Sequence, residues 1–286
     1  MVIDITRCNG CYNCFLACRD EYCGNEFPPY SASQPETGQS WMQIIEKESG
    51  KYPKVKVAFT PAPCMQCDDA SCIKAAKEGA IYKRPDGIVI IDPEKSAGQK
   101  GLVSSCPYRV VFWNEARQIP QKCTFCAHLL DQGWKAPRCV EVCPTGALTF
   151  GDLDDANSDV AKLMKFGKVE VLHPEYGLKE KVAYVGLPKR FIAGAVVLGD
   201  TDECGVGARV TLEGKGEKRV VKADNYGDFE FEGLKADKTY GVKVEKAGYQ
   251  TRKIDANTKV DAYLGDIVLA KARKTKPAKT KMTKKK

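Results

Sequence analysis

The fourteen cysteines of this 286-residue chain are its most informative residues, because their spacing is regular. Twelve of them fall into four groups between residues 8 and 143. The groups are Cys8, Cys11, Cys14 and Cys18; Cys64, Cys67 and Cys72; Cys106 by itself; and Cys123, Cys126, Cys139 and Cys143. Cysteine runs with C-x2-C-x2-C-x3-C-P spacing hold [4Fe–4S] clusters. We therefore predict iron–sulfur clusters, rather than a disulfide scaffold or a zinc site.

The second and third groups together predict one complete cluster and one lost cluster. In two-cluster ferredoxins, the fourth cysteine of each run binds the cluster of the other run. By this exchange, one predicted set is Cys64, Cys67, Cys72 and Cys106. The neighbouring set would need cysteines at four positions that are occupied by Ala76, Ser96, Gln99 and Leu102. The loss of one whole set explains why Cys106 is alone in its group, because Cys106 serves the neighbouring cluster.

The first and fourth groups predict two more clusters by the same exchange. The first set is Cys8, Cys11, Cys14 and Cys143, and the second set is Cys18, Cys123, Cys126 and Cys139. We therefore predict three [4Fe–4S] clusters on twelve cysteines, with Cys64, Cys67, Cys72 and Cys106 as the third set.

Two cysteines and one histidine remain outside the three sets. Cys23 and Cys204 are expected to be free thiols, although Cys23 as a substitute ligand is an alternative. His128 lies within the fourth group and is expected to make a structural polar contact. Its alternative role is to tune a cluster by hydrogen bonding.

The elements around the cysteines predict an α+β fold in two domains and a tail. The segment "AIYKRPDGIVIID" (80–92) predicts two strands around a turn, and residues 110–122 predict a similar strand segment. Asp92 and Pro93 predict the start of a helix. From about residue 191, apolar and polar residues alternate in short segments, which predicts an antiparallel β-sandwich. We expect a ferredoxin-like polycluster domain over 1–190, a β-sandwich domain over 191–270, and a disordered lysine-rich tail over 271–286.

Charge and composition exclude several classes of function. The formal net charge is +8, but the tail holds eight lysines and one arginine, so the rest of the chain is nearly neutral and no nucleic-acid-binding face is predicted. No apolar run is long enough for a membrane span, and the N-terminus does not resemble a signal peptide. We predict a cytoplasmic protein, with export by a partner's signal as the alternative. No catalytic residues are predicted, because no triad, phosphate loop or paired carboxylate motif occurs.

Two motifs carry a resemblance to a known family. The segments "KCTFCAHLLDQGWKAPRCVEVCPTGA" (122–147) and "GAIYKRPDGIVIID" (79–92) resemble the iron–sulfur subunits of molybdopterin enzymes related to dimethyl sulfoxide reductase. The usual member has four complete cysteine runs. The loss of one set and the C-terminal β-domain make this chain similar to small subunits of the pyrogallol–phloroglucinol transhydroxylase type.

The resemblance implies an electron-transfer subunit that has no active site of its own. It implies a heterodimer, or a multiple of it, with a large subunit that carries a molybdopterin centre with molybdenum or tungsten. A free-standing polyferredoxin, a subunit of another molybdopterin reductase, and a subunit with purely structural clusters are the alternatives. The long segment 19–63, which includes Trp41, is expected either to contact the partner or to cover the chain's own core.

Overall fold

The computed structural model describes residues 1–214 and 216–272, which form two compact units. The first unit comprises Met1–Lys47 and Val57–Leu187, and the second begins again at Pro188. The second unit also includes Glu48–Lys56, which the sequence assigned to the first domain. Each unit has its own buried core.

The first unit combines short helices with small sheets. Its strands are β1 (Val2–Asp4), β2 (Gln43–Lys51), β3 (Lys54–Ala62), β4 (Ile81–Lys83), β5 (Val89–Ile91), β6 (Phe112–Asn114), β7 (Ile119–Gln121), β8 (Leu148–Thr149), β9 (Val169–Glu170) and β10 (Ala183–Val185). The ends of β2 and β3 that meet at their turn belong to the second unit. Its α-helices are α1 (Asn13–Tyr22), α2 (Ser71–Ala75), α3 (Ala127–Asp131), α4 (Arg138–Glu141) and α5 (Asp159–Phe166). Its 3-10 helices are Ile5–Arg7, Lys100–Ser105 and Pro174–Tyr176.

These strands form one four-stranded sheet and three hairpins. The sheet has the order β8-β1-β10-β9, and β1 runs parallel to β10. The hairpins are β2-β3, β4-β5 and β6-β7. The two strands predicted within residues 80–92 are confirmed as β4 and β5, and the segment 110–122 forms β6 and β7. Gly87 has a left-handed φ of 82° in the β4-β5 turn, which favours glycine.

The helix predicted after Asp92 is wrong in its extent. The Asp92 carboxylate accepts hydrogen bonds from the backbone of Glu94 and Lys95, as expected of a cap. Turns follow over residues 93–98, and the chain then forms the 3-10 helix Lys100–Ser105. The reason for the break is Gly98, whose left-handed φ of 75° interrupts a helical path.

The core of the first unit includes Trp41, which is only 1% exposed. Trp41 packs against the ring of Tyr22, with ring centroids 4.5 Å apart. Trp41 therefore packs in the chain's own core, which is one of the two roles expected for segment 19–63.

The second unit contains two four-stranded sheets with a shared core. Its strands are β11 (Arg190–Leu198), β12 (Glu203–Cys204), β13 (Arg209–Gly214), β14 (Glu217–Lys222), β15 (Asp228–Leu234), β16 (Thr239–Glu245), β17 (Arg252–Asn257) and β18 (Ala262–Leu269). One sheet has the order β12-β11-β15, with β18 also paired to β11, and the other has the order β14-β13-β16-β17. Alternate side chains such as Val242 and Val244 enter the core, as the period of two predicted.

The prediction of a wholly antiparallel domain is wrong for one strand pair. Strands β11 and β18 pair in parallel, because the last strand returns beside the first after the rest of the domain. At the predicted start of the tail, the backbone N–H of Ala272 donates to Gly248 O at 2.9 Å. The remainder of the predicted tail lies outside the described residues. Among the residues that are described, no helix is long and apolar enough to cross a membrane.

Candidate iron–sulfur centres

The cysteines of the first and second sets are placed by α1 and α4. Cys14 and Cys18 lie one turn apart on α1, and Cys139 lies on α4. The loop before α1 turns at Gly10, whose φ is 71°. A Cβ at Gly10 would come within 2.7 Å of the Phe59 ring, so only glycine fits at position 10 without rearrangement.

The first set comes together at the beginning of α1. Burial, followed by the neighbouring thiols of Cys8, Cys143 and Cys11, raises the pKa of Cys14 to about 11. Cys11 is exposed, whereas Cys8 and Cys143 are half-buried. The predicted ligands Cys8, Cys11, Cys14 and Cys143 are therefore close neighbours, in a group more open to solvent than the other two.

The second set is more deeply buried. Burial raises the pKa of Cys139, and the thiols of Cys123, Cys126 and Cys18 add to this effect. The pKa of Cys18 is raised by burial and then by Cys123 and Cys126. The structure thus brings together the four predicted ligands of this set.

The third set surrounds a small, mostly apolar cavity. Its four predicted ligands, Cys64, Cys67, Cys72 and Cys106, all line this cavity. Burial, followed by Cys64, Glu180, Cys106 and Cys72, raises the pKa of Cys67 to about 12. The Ser71 hydroxyl donates to Ser105 O at 2.7 Å, which joins the residues that precede Cys72 and Cys106.

The side chains around this cavity fit a cluster that is held by thiolates. The lining combines the four thiols with apolar side chains such as Val89, Val111 and Leu178. Thiolates are the usual ligands of iron–sulfur clusters, and they lose their protons when they bind metal. Within residues 1–214 and 216–272, no three His, Cys, Asp or Glu side chains converge as one metal ion requires.

The second set lies next to both of the others. Cys14 of the first set contributes to the raised pKa values of Cys18 and Cys139, after burial and the nearer thiols. Burial and then Cys64 of the third set raise the pKa of Cys123 to about 12. The buried Gln66 amide also donates to Cys123 O at 2.9 Å. The second set is therefore a neighbour of the first set, through Cys14, and of the third set, through Cys64.

Protein side chains fill the position of the fourth set. Leu102 is only 3% exposed and packs in a small core with Val89 and Val111, and Ala76 is packed against this core. Ser96 is fully buried, and its hydroxyl has no hydrogen-bond partner among the described residues. The side-chain amide of Gln99 accepts a hydrogen bond from the backbone of Lys77 and donates one to the backbone of Lys95. Packing and hydrogen bonds within the protein thus occupy this position.

The other candidate residues take no part in the three sets. Cys23 ends α1, where its sulfur accepts from Arg19 at 3.6 Å, and Cys204 is exposed on β12. The Nε2 atom of His128 lies 2.8 Å from Glu21 Oε1, and its ring stacks on Phe27. His128 therefore makes the structural polar contact that was expected.

Sequence reasoning did not identify Lys122 as a site residue. Lys122 is 2% exposed and lines the cavity of the third set. A lysine placed between the predicted strand segment and Cys123 was the available signal, but lysines are rarely buried.

The chain is similar in sequence to known iron–sulfur proteins. A family model described as a 4Fe–4S dicluster domain matches residues 55–153. The chain is 42% identical over 257 residues to the pyrogallol hydroxytransferase small subunit of Pelobacter acidigallici, a match that covers 87% of this chain and 90% of that protein.

Two reductase subunits match over a smaller share of the chain. The arsenate respiratory reductase iron–sulfur subunit ArrB of Shewanella sp. (strain ANA-3) is 30% identical over 65% of this chain and 94% of its own length. A tetrathionate reductase subunit of Salmonella typhimurium is 34% identical over 67% of this chain and 74% of its own length. The match to the Pelobacter protein is longer, so it also includes part of the second unit.

Proposed function

Because the chain belongs to the family of the iron–sulfur subunits of molybdopterin oxidoreductases, which includes the pyrogallol hydroxytransferase small subunit, we propose that it is the electron-transfer subunit of an enzyme of the transhydroxylase or aromatic hydroxylase–dehydroxylase type. The strongest support is the grouping of twelve cysteines into three neighbouring sets of four. The match of residues 55–153 to the 4Fe–4S dicluster domain supports the proposal that these cysteines bind [4Fe–4S] clusters.

The three sets would hold three [4Fe–4S] clusters, which supply one-electron redox chemistry when they are bound. The first set is Cys8, Cys11, Cys14 and Cys143; the second is Cys18, Cys123, Cys126 and Cys139; and the third is Cys64, Cys67, Cys72 and Cys106. The chain's own residues would keep the second cluster next to the other two and would bury three of its four ligands, Cys18, Cys126 and Cys139. Burial of the ligands disfavours charge, so low potentials are expected where no cation compensates it.

A large molybdopterin-containing subunit, with molybdenum or tungsten, would bind the substrate and complete a heterodimer or a multiple of it. The 42% identity to a protein named as a small subunit supports such a partner. The first set would face it, because Cys11 is exposed and Leu16 on α1 is 58% exposed beside this set. The two sheets of the second unit would form a β-sandwich that serves stability or docking.

Anaerobic purification of the native protein tests this function. Mass spectrometry should identify a large subunit that co-purifies with the chain, and metal analysis should find molybdenum or tungsten with it. The complex should transfer a hydroxyl group between phenols. Recovery of the chain alone, with its clusters intact and no molybdenum or tungsten protein attached, would instead indicate a free-standing polyferredoxin.

A further inference from the structure

Lys122 is a buried cation that has no carboxylate partner in the described part of the chain. Its side chain is 2% exposed, and its ammonium group donates to the backbone oxygens of Val89 and, at 3.1 Å, Cys123. Across the described ranges 1–214 and 216–272, no aspartate or glutamate forms an ion pair with it. A buried ammonium group is costly unless a negative charge is close by.

The position of Lys122 shows where that negative charge would come from. Lys122 lines the cavity of the third set and directly precedes Cys123 of the second. Its ammonium group donates to Cys123 O at 3.1 Å, and Cys72 of the third set lines the same cavity as Lys122. The charge of Lys122 therefore lies beside members of both sets.

We propose that Lys122 is the internal counter-charge of the second and third cysteine sets, and that it raises the reduction potentials of the clusters they hold. The inference rests on the ligand sets proposed above. Reduction adds negative charge to a cluster that already has thiolate ligands, so a nearby cation stabilises the reduced state. Solvent and salt screen a buried charge weakly, so this effect is larger than that of a surface lysine.

The alternative role of Lys122 is a structural one. Its two hydrogen bonds join β5 to the loop of the fourth cysteine group. These bonds could stabilise the fold without any effect of the charge on the clusters. Lys122→Gln removes the charge and keeps a hydrogen-bond donor, whereas Lys122→Arg keeps the charge. The two substitutions therefore separate the effect of the charge from the effect of the hydrogen bonds.

Lys74→Gln is a matched control. Lys74 lies two residues from Cys72, but its side chain is 66% exposed and paired with Asp69. Lys74→Gln removes the same formal charge as Lys122→Gln, but at a position where solvent and the Asp69 carboxylate screen that charge. We expect no shift of potential in this variant.

The test is an anaerobic redox titration of the native complex, followed by electron paramagnetic resonance. Signals that Cys106→Ser removes identify the third cluster. Lys122→Gln should shift the midpoint potentials of the second and third clusters to more negative values and leave the first unchanged. Lys122→Arg and Lys74→Gln should retain the wild-type potentials. Unchanged potentials in Lys122→Gln, or an equal shift in Lys122→Arg, would overturn the proposal.

Loss of the third cluster in a Lys122 variant also distinguishes the two roles. If Lys122→Gln loses the third cluster while Lys122→Arg keeps it at the wild-type potential, the charge is required and the proposal stands. If both variants lose it, the role is structural and the proposal fails. A wild-type protein without three sets of signals would overturn the proposed ligand sets, and with them this inference.

Discussion

The side chain of Gln99 is hydrogen bonded to the backbone of Lys77, where its Oε1 atom accepts from the N–H group at 3.1 Å. The Nε2 atom of the same amide donates to Lys95 O at 2.8 Å. Gln99 and Ala76, the neighbour of Lys77, occupy two of the four positions where a fourth cluster would have its ligands. Protein contacts therefore join the parts of the chain that metal would otherwise hold together.

Leu102→Ala should destabilise the first unit without removing iron. Leu102 is 3% exposed within a core shared with Ile81 and Ile91, so its truncation leaves a cavity. We expect a loss of about 2–5 kcal/mol in the free energy of unfolding. The measurement is the thermal midpoint for loss of the visible chromophore, together with the iron content of the unheated protein.

Phe166→Ala is the control for this change, because a large apolar side chain of the same unit is truncated where it is 76% exposed. It should alter stability by less than about 0.5 kcal/mol. Equal effects of the two substitutions would show that Leu102 does not fill the fourth position as described.

Cys106→Ser should remove the third cluster and spare the other two. Cys106 follows the 3-10 helix Lys100–Ser105 and lines the same cavity as Cys64, more than thirty residues away in sequence. We expect the loss of about four irons per chain. Iron analysis after anaerobic purification measures this loss. Cys23→Ser, a change outside the three sets, should retain the full iron content, and an equal loss there would contradict the ligand assignment.

Leu16→Lys should weaken binding of the large subunit. Leu16 is an exposed apolar residue on α1, between Cys14 and Cys18, and lines an open depression with Arg138. A central apolar contact of an interface contributes about 2 kcal/mol or more, which is roughly a thirtyfold change in affinity. Size-exclusion chromatography of diluted complex measures dissociation.

The control for Leu16→Lys is Val260→Lys, which adds the same charge at a residue that is 65% exposed in the second unit. The complex should tolerate this change. Dissociation in both variants, or in neither, would contradict the placement of the partner beside the first set.

The sequence predicts local features of this chain well. The hairpins β4-β5 and β6-β7 follow from turn residues and short apolar segments, which act over a few residues. The grouping of the cysteines follows from the exchange of ligands between paired runs, a rule of connectivity rather than of packing.

Features that depend on distant contacts could not be predicted. The parallel pairing of β11 with β18 joins the two ends of the second unit, and no local pattern signals it. The grouping of Glu48–Lys56 with that unit is likewise a tertiary property. Lys122 was missed because composition assigns lysine to the surface, whereas backbone carbonyls and thiols surround it here.

The most direct test is the number of irons and acid-labile sulfides per chain in the anaerobically purified native complex, after subtraction of any metal held by the large subunit. Three complete cysteine sets predict about twelve irons and about twelve sulfides, from four of each per cluster. About sixteen irons would contradict the account, because a fourth cluster would then be bound where Leu102 and Gln99 are packed. About eight would show that one of the three proposed sets does not hold a cluster.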